Sequence, residues 1–437
     1  RDCCDVGRQG SSRQKSLQQD SLFPVIPALH LPEGFLSPHQ RADLLAILLQ
    51  FILLTIGVIF IYGTGVEIGG EFARKWYKQL LWIGVGGIAY LAALLIDYRR
   101  LGKISALLYL FAIALLCLLF FIGETINGAR SWIILPGLGQ LQPSEIAKPF
   151  TLFFAAWLGS RQALRNSALP PALAIILVTM LPVVLICLQP DYGTALVFLP
   201  CTAALILLSG LQWRWILTGL LLLLVAIPLS YRLMAPHQRE RIKVFLEAPA
   251  QAMLMASKPL LNERMEKHFR QKVEEFFAVH DGKLRDTWNA EQSLLAVGSG
   301  GITGKGYLKG THHVLGYLPK TVAPTDFIFS VIAEESGFLG SVVLLILLTC
   351  LILCFCRTAL LARNKLGASL ALGAAVIIAT HVIINIGMTV QAAPIIGIPL
   401  PYVSYGGSFM ISIMLLSGLV QNVHIHRRIA KENDDEE

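Results

Sequence analysis

The sequence is 437 residues long, 55% hydrophobic and only 15% charged, with a mean hydropathy of +0.63. An ordinary soluble domain carries about 25% charged residues, so this composition excludes one and points to a chain that crosses a membrane many times. The formal charge of +8 is read as Lys and Arg at the cytoplasmic ends of helices in preference to a nucleic-acid footprint.

Residues 1–40 read as a polar tail, with no cleavable signal peptide ahead of the first apolar run. Apolar runs near the length needed to cross about 30 Å of hydrocarbon then lie around 44–62, 79–96, 104–122, 145–160, 171–188, 193–210, 213–231, 327–355, 367–391 and 403–422. The expected fold is therefore all-α: a polytopic membrane protein of about ten transmembrane helices. Helices 1–7 occupy 41–231, a large external loop spans 232–326 between helices 7 and 8, helices 8–10 occupy 327–425, and 426–437 is a tail.

With the N-terminus inside, Arg99, Arg100 and Lys103, then Arg161 and Arg165, Arg214, Arg357, Arg363 and Lys365, and Arg427, Arg428 and Lys431 all fall on the cytoplasmic side. Both termini are expected there. Loop 63–78 dissents with Arg74, Lys75 and Lys78, accompanied by Glu67 and Glu71. In the long external loop, "NERMEKHFRQKVEEFF" sets Met265, Phe269, Val273, Phe276 and Phe277 on one helical face, which suits the membrane surface or the bundle wall. Six of the eight cysteines lie in or beside apolar runs, where a thiol acts as a small hydrophobe, and no disulfide framework or zinc spacing is implied.

Polar residues that interrupt these runs carry the functional signal. In "NGARSWIILPGLGQLQPSEIAKPF", Ser144 is expected to cap helix 4 after Pro143, with Glu145 in its first turn and Lys148 at i+3. A surface ion pair is one reading. The other is a cation facing a polar cavity, because a Lys inside "IAKPFTLFFAAW" is costly in lipid. Arg130 adds a second cation, and the two suit an anionic pyrophosphate headgroup.

Asp191 of "LQPDYGTAL" is either a helix cap or functional. Asp326, Glu334 and Glu335 enter helix 8 in "PTDFIFSVIAEESGFLG". "NIGMTVQAAPIIGIPLPYVSYGGSFM" breaks the chain with Pro394, Pro399, Pro401, Gly406 and Gly407, where irregular backbone at membrane depth needs burial or a wet cavity. The glycines of "RDTWNAEQSLLAVGSGGITGKGYLKGT" resemble a phosphate loop without matching the Walker pattern, and Asp281, Asp286 and Glu291 are general-base candidates. All of these clusters fall on the external side.

The runs "NGARSWI", "QPSEIAK", "QPDYGTAL", "QSLLAVGSGG", "GKGYLKGT", "TDFIFSVIAEESGFLG" and "SYGGS", in this order, resemble the SEDS proteins (shape, elongation, division and sporulation) over roughly residues 44–425. "DFIFSVIAEE" and "GKGYLKGT" look more like the elongation branch (RodA-like) than the division branch (FtsW-like). The resemblance implies a peptidoglycan glycosyltransferase that polymerises lipid II on the outer face of the cytoplasmic membrane, in complex with a class B penicillin-binding protein transpeptidase.

Carried over residue by residue, it implies that Arg130, Glu145, Lys148, Asp191, Lys305, Asp326, Glu334, Glu335, Ser404, Tyr405, Gly406, Gly407 and Ser408 belong to the substrate cavity. The family's essential Asp precedes an aromatic-x-x-x-Gln-Ser element, here Trp288, Gln292 and Ser293. Asp286 stands two residues before the aromatic and Asp281 seven before it, and Asp286 is the favoured base. This departs from the family's longer Gly-rich spacer, and the helix at 262–277 exceeds the expected loop. The implied chemistry is inverting glycosyl transfer, with Arg130 and Lys148 stabilising the leaving pyrophosphate. A divalent cation could assist, although no ligand cluster demands one. The rivals are a lipid flippase or transporter and a non-catalytic scaffold.

Overall fold

The computed structural model describes residues 42–66, 72–126, 129–135, 139–161, 171–209, 285–312, 314–318 and 321–427, with the isolated positions 239 and 271. The described helices are α1 (Leu44–Val66), α2 (Lys75–Leu95), the short α3 (Tyr98–Leu101), α4 (Ser105–Ile122), α5 (Pro143–Ser160), α6 (Pro171–Leu188), α7 (Tyr192–Leu208), α8 (Arg285–Ser299), α9 (Ile328–Leu360), α10 (Lys365–Thr389) and α11 (Gly407–His426). Among the described residues, seven helical segments are long and apolar enough to cross a membrane. In α5 charge interrupts the apolar run, and α7 falls just short in length, yet both pack into the same bundle. The run at 213–231, the amphipathic segment at 262–277, Asp281 and both tails lie outside the described residues.

Burial orders the bundle. In α10 and α11, 61% and 78% of the apolar window is buried, against 17% in α2, so α10 and α11 form the centre and α2 the rim. Phe51, Ile88, Leu107 and Leu353 stay exposed, as residues facing lipid would be.

Hydrocarbon offers the backbone no water, so every freed carbonyl needs a partner. Pro149 cannot donate to the carbonyl of Glu145, and Ser412 of α11 donates to it instead at 2.8 Å. Pro182 leaves the carbonyl of Val178 open in the same way, and the Tyr109 hydroxyl of α4 fills it at 2.9 Å. Pro149 and Pro182 thus bind their helices to a neighbour. At the other end of the bundle, Asn422 Nδ2 donates to the carbonyls of Ala93, Leu94 and Ile96 where α2 stops.

The structure alters several details expected from sequence. The segment between α4 and α5 is no simple loop. It forms a small antiparallel sheet, ordered β1 (Glu124–Ile126), β2 (Ala129–Leu135), β3 (Gly139–Leu141), with Glu124 opposite Trp132 and Ile133 opposite Leu141. Its β-branched and aromatic run between turn residues favours extended backbone.

Ser144 does not cap α5. Gln142 holds that position and Pro143 takes the first helical residue, a place where proline's missing N–H costs nothing. The last helix begins at Gly407, not 403, because Pro399, Pro401 and the positive φ of Tyr402 hold the preceding chain in turns. Finally, α9 is broken at Gly337 (φ 69°, ψ −165°), and the part beyond the break is by itself long enough to span.

Candidate active site

One end of the bundle gathers the interrupted motifs. In α5, Glu145 and Lys148 lie one turn apart on the buried face, 3% and 2% exposed, with Lys148 Nζ 2.7 Å from Glu145 Oε1. The surface-pair reading is therefore excluded: this is a buried ion pair, whose formation must offset a large desolvation cost. Lys148 Nζ also lies 3.0 Å from His381 Nε2 of α10, and His381 Nδ1 lies 3.1 Å from the Pro399 carbonyl oxygen. The Phe409 ring of α11 sits beneath both, 5.7 Å from Lys148 Nζ and 4.8 Å from the His381 ring centre. A small, mostly apolar cavity of about 10 Å³, room for a single water, is lined by Lys148 with Thr151, Thr179, Phe198, Cys201 and Ile377. Within it, Thr151 Oγ1 is buried with no hydrogen-bond partner among the described residues.

Asp191 is the cap of α7, accepting from the Thr194 N–H at 3.3 Å. Its other oxygen accepts from Gln142 Nε2 at 2.7 Å and lies 3.5 Å from Ser144 Oγ, so the cap also ties α7 to the start of α5. Ser408 Oγ accepts from the Gln142 N–H at 2.8 Å. Glu145, Lys148, Asp191 and Ser408 are thus brought together on three helices.

The "SYGGS" run forms a second group. Ser404 Oγ accepts from the Leu400 N–H and donates to the Thr325 carbonyl at 2.6 Å, and Tyr405 N–H donates to the Pro324 carbonyl. Gln79 of α2 holds both sides of the turn, donating to the Ser404 carbonyl and accepting from Gly406 N–H. Asn385 Nδ2 donates to the Asp326 and Ile398 carbonyls, which fixes the irregular chain to α10. Gly407 packs flat against Trp82, and any Cβ would collide with the indole.

Glu334 anchors a third group. Its Oε1 accepts from Lys305 Nζ (2.6 Å), Thr311 N (2.8 Å) and Thr311 Oγ1 (3.0 Å), and from His312. The glycine-rich run folds onto the break in α9: Lys305 N and Gly306 N donate to the carbonyls of Glu334 and Glu335, while Phe338 N and Leu339 N donate to those of Gly301 and Ile302. Cβ atoms on Gly304 or Gly337 would overlap backbone across this contact. Gly300 and Gly304 thus serve close packing against α9. Glu335 is 2% exposed beside it.

Asp286 lies in the first turn of α8. Behind it, Trp288 Nε1 donates to the Tyr317 carbonyl at 3.1 Å. Gln292 is buried, and Ser293 Oγ bonds Ser330 Oγ (2.6 Å) and the Thr389 carbonyl (2.9 Å), which locks α8 against α9 and α10. Arg130 is not among the groups around Lys148: its guanidinium donates to the Gly123 and Phe121 carbonyls at the end of α4, where a cation complements the helix dipole. Among the described residues, no group of three or more His, Cys, Asp or Glu has a metal-holding arrangement.

Sequence reading missed His381, Asn385, Gln79, Gln142 and His312. His381 and Asn385, spaced i and i+4 in an otherwise apolar run, were the legible signal. Gln79 and Gln142 acquire meaning only from partners more than 40 residues away.

A bundle of membrane-length apolar helices, with buried charge and broken backbone collected at one end, defines a multi-pass membrane protein with a polar site. The family model for FtsW/RodA/SpoVE cell cycle proteins matches residues 43–429, and the chain belongs to that family. Among its relatives is the peptidoglycan glycosyltransferase RodA of Treponema pallidum (strain Nichols), 30% identical and covering 87% of this chain and 97% of its own. Another is the peptidoglycan glycosyltransferase MrdB of Escherichia coli (strain K12), 32% identical over 90% and 96%. Among solved structures, a peptidoglycan synthase complex described as coordinating polymerization and crosslinking contains a chain similar to this one at TM-score 0.65 and 28% identity, covering 89% and 98%. The rod shape determining protein RodA of Thermus thermophilus matches at TM-score 0.59 and 26% identity over the same shares.

Proposed function

We propose that this chain is a peptidoglycan glycosyltransferase of the elongation type, which polymerises lipid II on the outer face of the cytoplasmic membrane. The observation that carries this is the buried Lys148–Glu145 pair at one end of the bundle, in a family whose relatives include named peptidoglycan glycosyltransferases. A buried ammonium held in place by Glu145 and His381 is suited to the negative charge that develops on a departing pyrophosphate. The similarity to a chain of a synthase complex supports work alongside a crosslinking partner, of the class B penicillin-binding type. Both termini face the cytoplasm, following the distribution of Lys and Arg.

In the reaction, Asp286, or Asp281 in its stead, takes the proton of the acceptor sugar's 4-hydroxyl. The oxygen bonds to the donor's anomeric carbon from the face opposite the leaving group. The bond from that carbon to the pyrophosphate oxygen breaks, its electron pair leaving with the lipid pyrophosphate. Lys148 stabilises that charge and Arg130 meets the headgroup at the end of α4, while Asp191, Gln292, Lys305, Asp326, Glu334, Glu335 and Ser404 to Ser408 shape the outward substrate surface. A general base contributes about 10² to 10⁴ fold.

The test is polymerisation of labelled lipid II by the purified protein with its partner, comparing wild type with Asp286→Ala and Asp281→Ala. Loss in Asp286→Ala alone supports that base, and loss in Asp281→Ala alone moves the role. A well-folded, partner-bound wild type that makes no polymer overturns the transferase and favours lipid transport.

A further inference from the structure

We propose that His381 is a positioning residue that aims the Lys148 ammonium, and that it does so by tying Lys148 to the proline-broken chain at Pro399. The inference rests on the function proposed above for Lys148. On its own helix Lys148 has one charged partner, Glu145, at i+3. A lysine has a flexible four-carbon stem and three rotatable donors, so a single contact leaves its head free to swing. The second contact comes from a different helix, with His381 Nε2 at 3.0 Å.

The tautomer follows from the partners. The Pro399 carbonyl can only accept, so the proton sits on Nδ1, 3.1 Å away. That leaves the Nε2 lone pair facing the ammonium, and the imidazole is neutral with each nitrogen in one defined role. The ring is fully buried and braced by Phe409, which also lies beneath Lys148. A chain of contacts therefore runs from the Pro399 carbonyl through the imidazole to the ammonium, joining α10, α5 and the segment leading to Ser404. Were His381 merely a satisfied core residue, its replacement would alter stability and leave turnover alone.

The experiment uses the full chain with its assembled partner and lipid II. His381→Leu is expected to lower kcat about 10- to 100-fold with KM within about threefold, because misplacing a stabilising charge is felt in the transition state. His381→Gln, whose amide can accept from Lys148 and donate to the Pro399 carbonyl, is expected to recover most of that loss. On a Lys148→Met background, His381→Leu should add nothing further.

Wild-type kcat in His381→Leu, or a loss that persists undiminished on the Lys148→Met background, overturns the proposal. A second readout needs neither turnover nor the leucine variant. In ¹⁵N-histidine NMR of the full chain, the signal absent from His381→Gln should report an Nδ1–H imidazole that shifts on Lys148→Met. An Nε2–H form, or no response to Lys148→Met, also overturns it. A wild type without polymerase activity would sink the proposed function, while the NMR would still decide the Lys148–His381 link.

Discussion

Lys305 Nζ lies 2.6 Å from Glu334 Oε1, so a cation from the glycine-rich segment closes over a carboxylate that α9 presents just before its break at Gly337. The same oxygen gathers the Thr311 and His312 N–H groups. A full negative charge is what makes one oxygen a suitable acceptor for so many donors. Glu334→Gln should therefore loosen residues 305–312: trypsin should cut at Lys305 and Lys309 about tenfold faster than in wild type, since such cleavage reports local opening. Unchanged cleavage would show that the loop is held by its backbone contacts alone.

Gly337 and Gly304 face each other across that contact, at φ 69° and 80°. A side chain at Gly337 meets both a backbone conformation that non-glycine residues avoid and a carbonyl-lined wall. Gly337→Ala should cost about 2 kcal/mol or more and lower the thermal midpoint in detergent. A midpoint equal to wild type would mean that the kink can straighten.

The Lys148–Glu145 pair separates stability from activity. Lys148→Met leaves a buried carboxylate uncompensated, at a cost of about 3 to 5 kcal/mol, and should reduce polymerisation about 10² to 10³ fold. Adding Glu145→Gln should restore much of the thermal midpoint and none of the activity. Recovery of activity in the double variant would mean that the pair is structural.

At the opposite end of the bundle, burial opposes ionisation of Asp97, but hydrogen bonds from the Arg99 side chain and backbone N–H outweigh it and hold its carboxyl below the usual value. A carboxylate depressed in the folded state adds stability above its unfolded pKa and loses it as pH falls through the folded one. Asp97→Asn should thus lower the thermal midpoint at pH 7, and the gap should close as pH drops below about 4. A gap independent of pH would place the effect in packing instead of charge.

How much of this was legible beforehand differs by element. The run at 171–188 is legible as a spanning helix, and the described helix ends at Leu188 as expected, because a long apolar stretch has one physical outcome in lipid even with Pro182 inside it. Glu145 and Lys148 were found because a charge in an apolar run demands a reason. Ser144 was misplaced since capping propensity competes with proline's preference for the first helical turn, and here the proline prevailed. His381 sat in plain view, yet its partners are Lys148, 233 positions away, and a carbonyl that exists as an acceptor only because the chain breaks at Pro399.

The sequence by itself determined the membrane-spanning class, most helix bounds and the residue types of the site, since hydropathy and the cost of buried charge act locally. Only the tertiary structure decided which charges meet. It turned Arg130 to the end of α4 and Lys148 to His381, and it packed Gly300 and Gly304 onto the broken helix α9. Those outcomes depend on which helix faces which, and pairings of that kind are set by packing across hundreds of residues that no local pattern encodes.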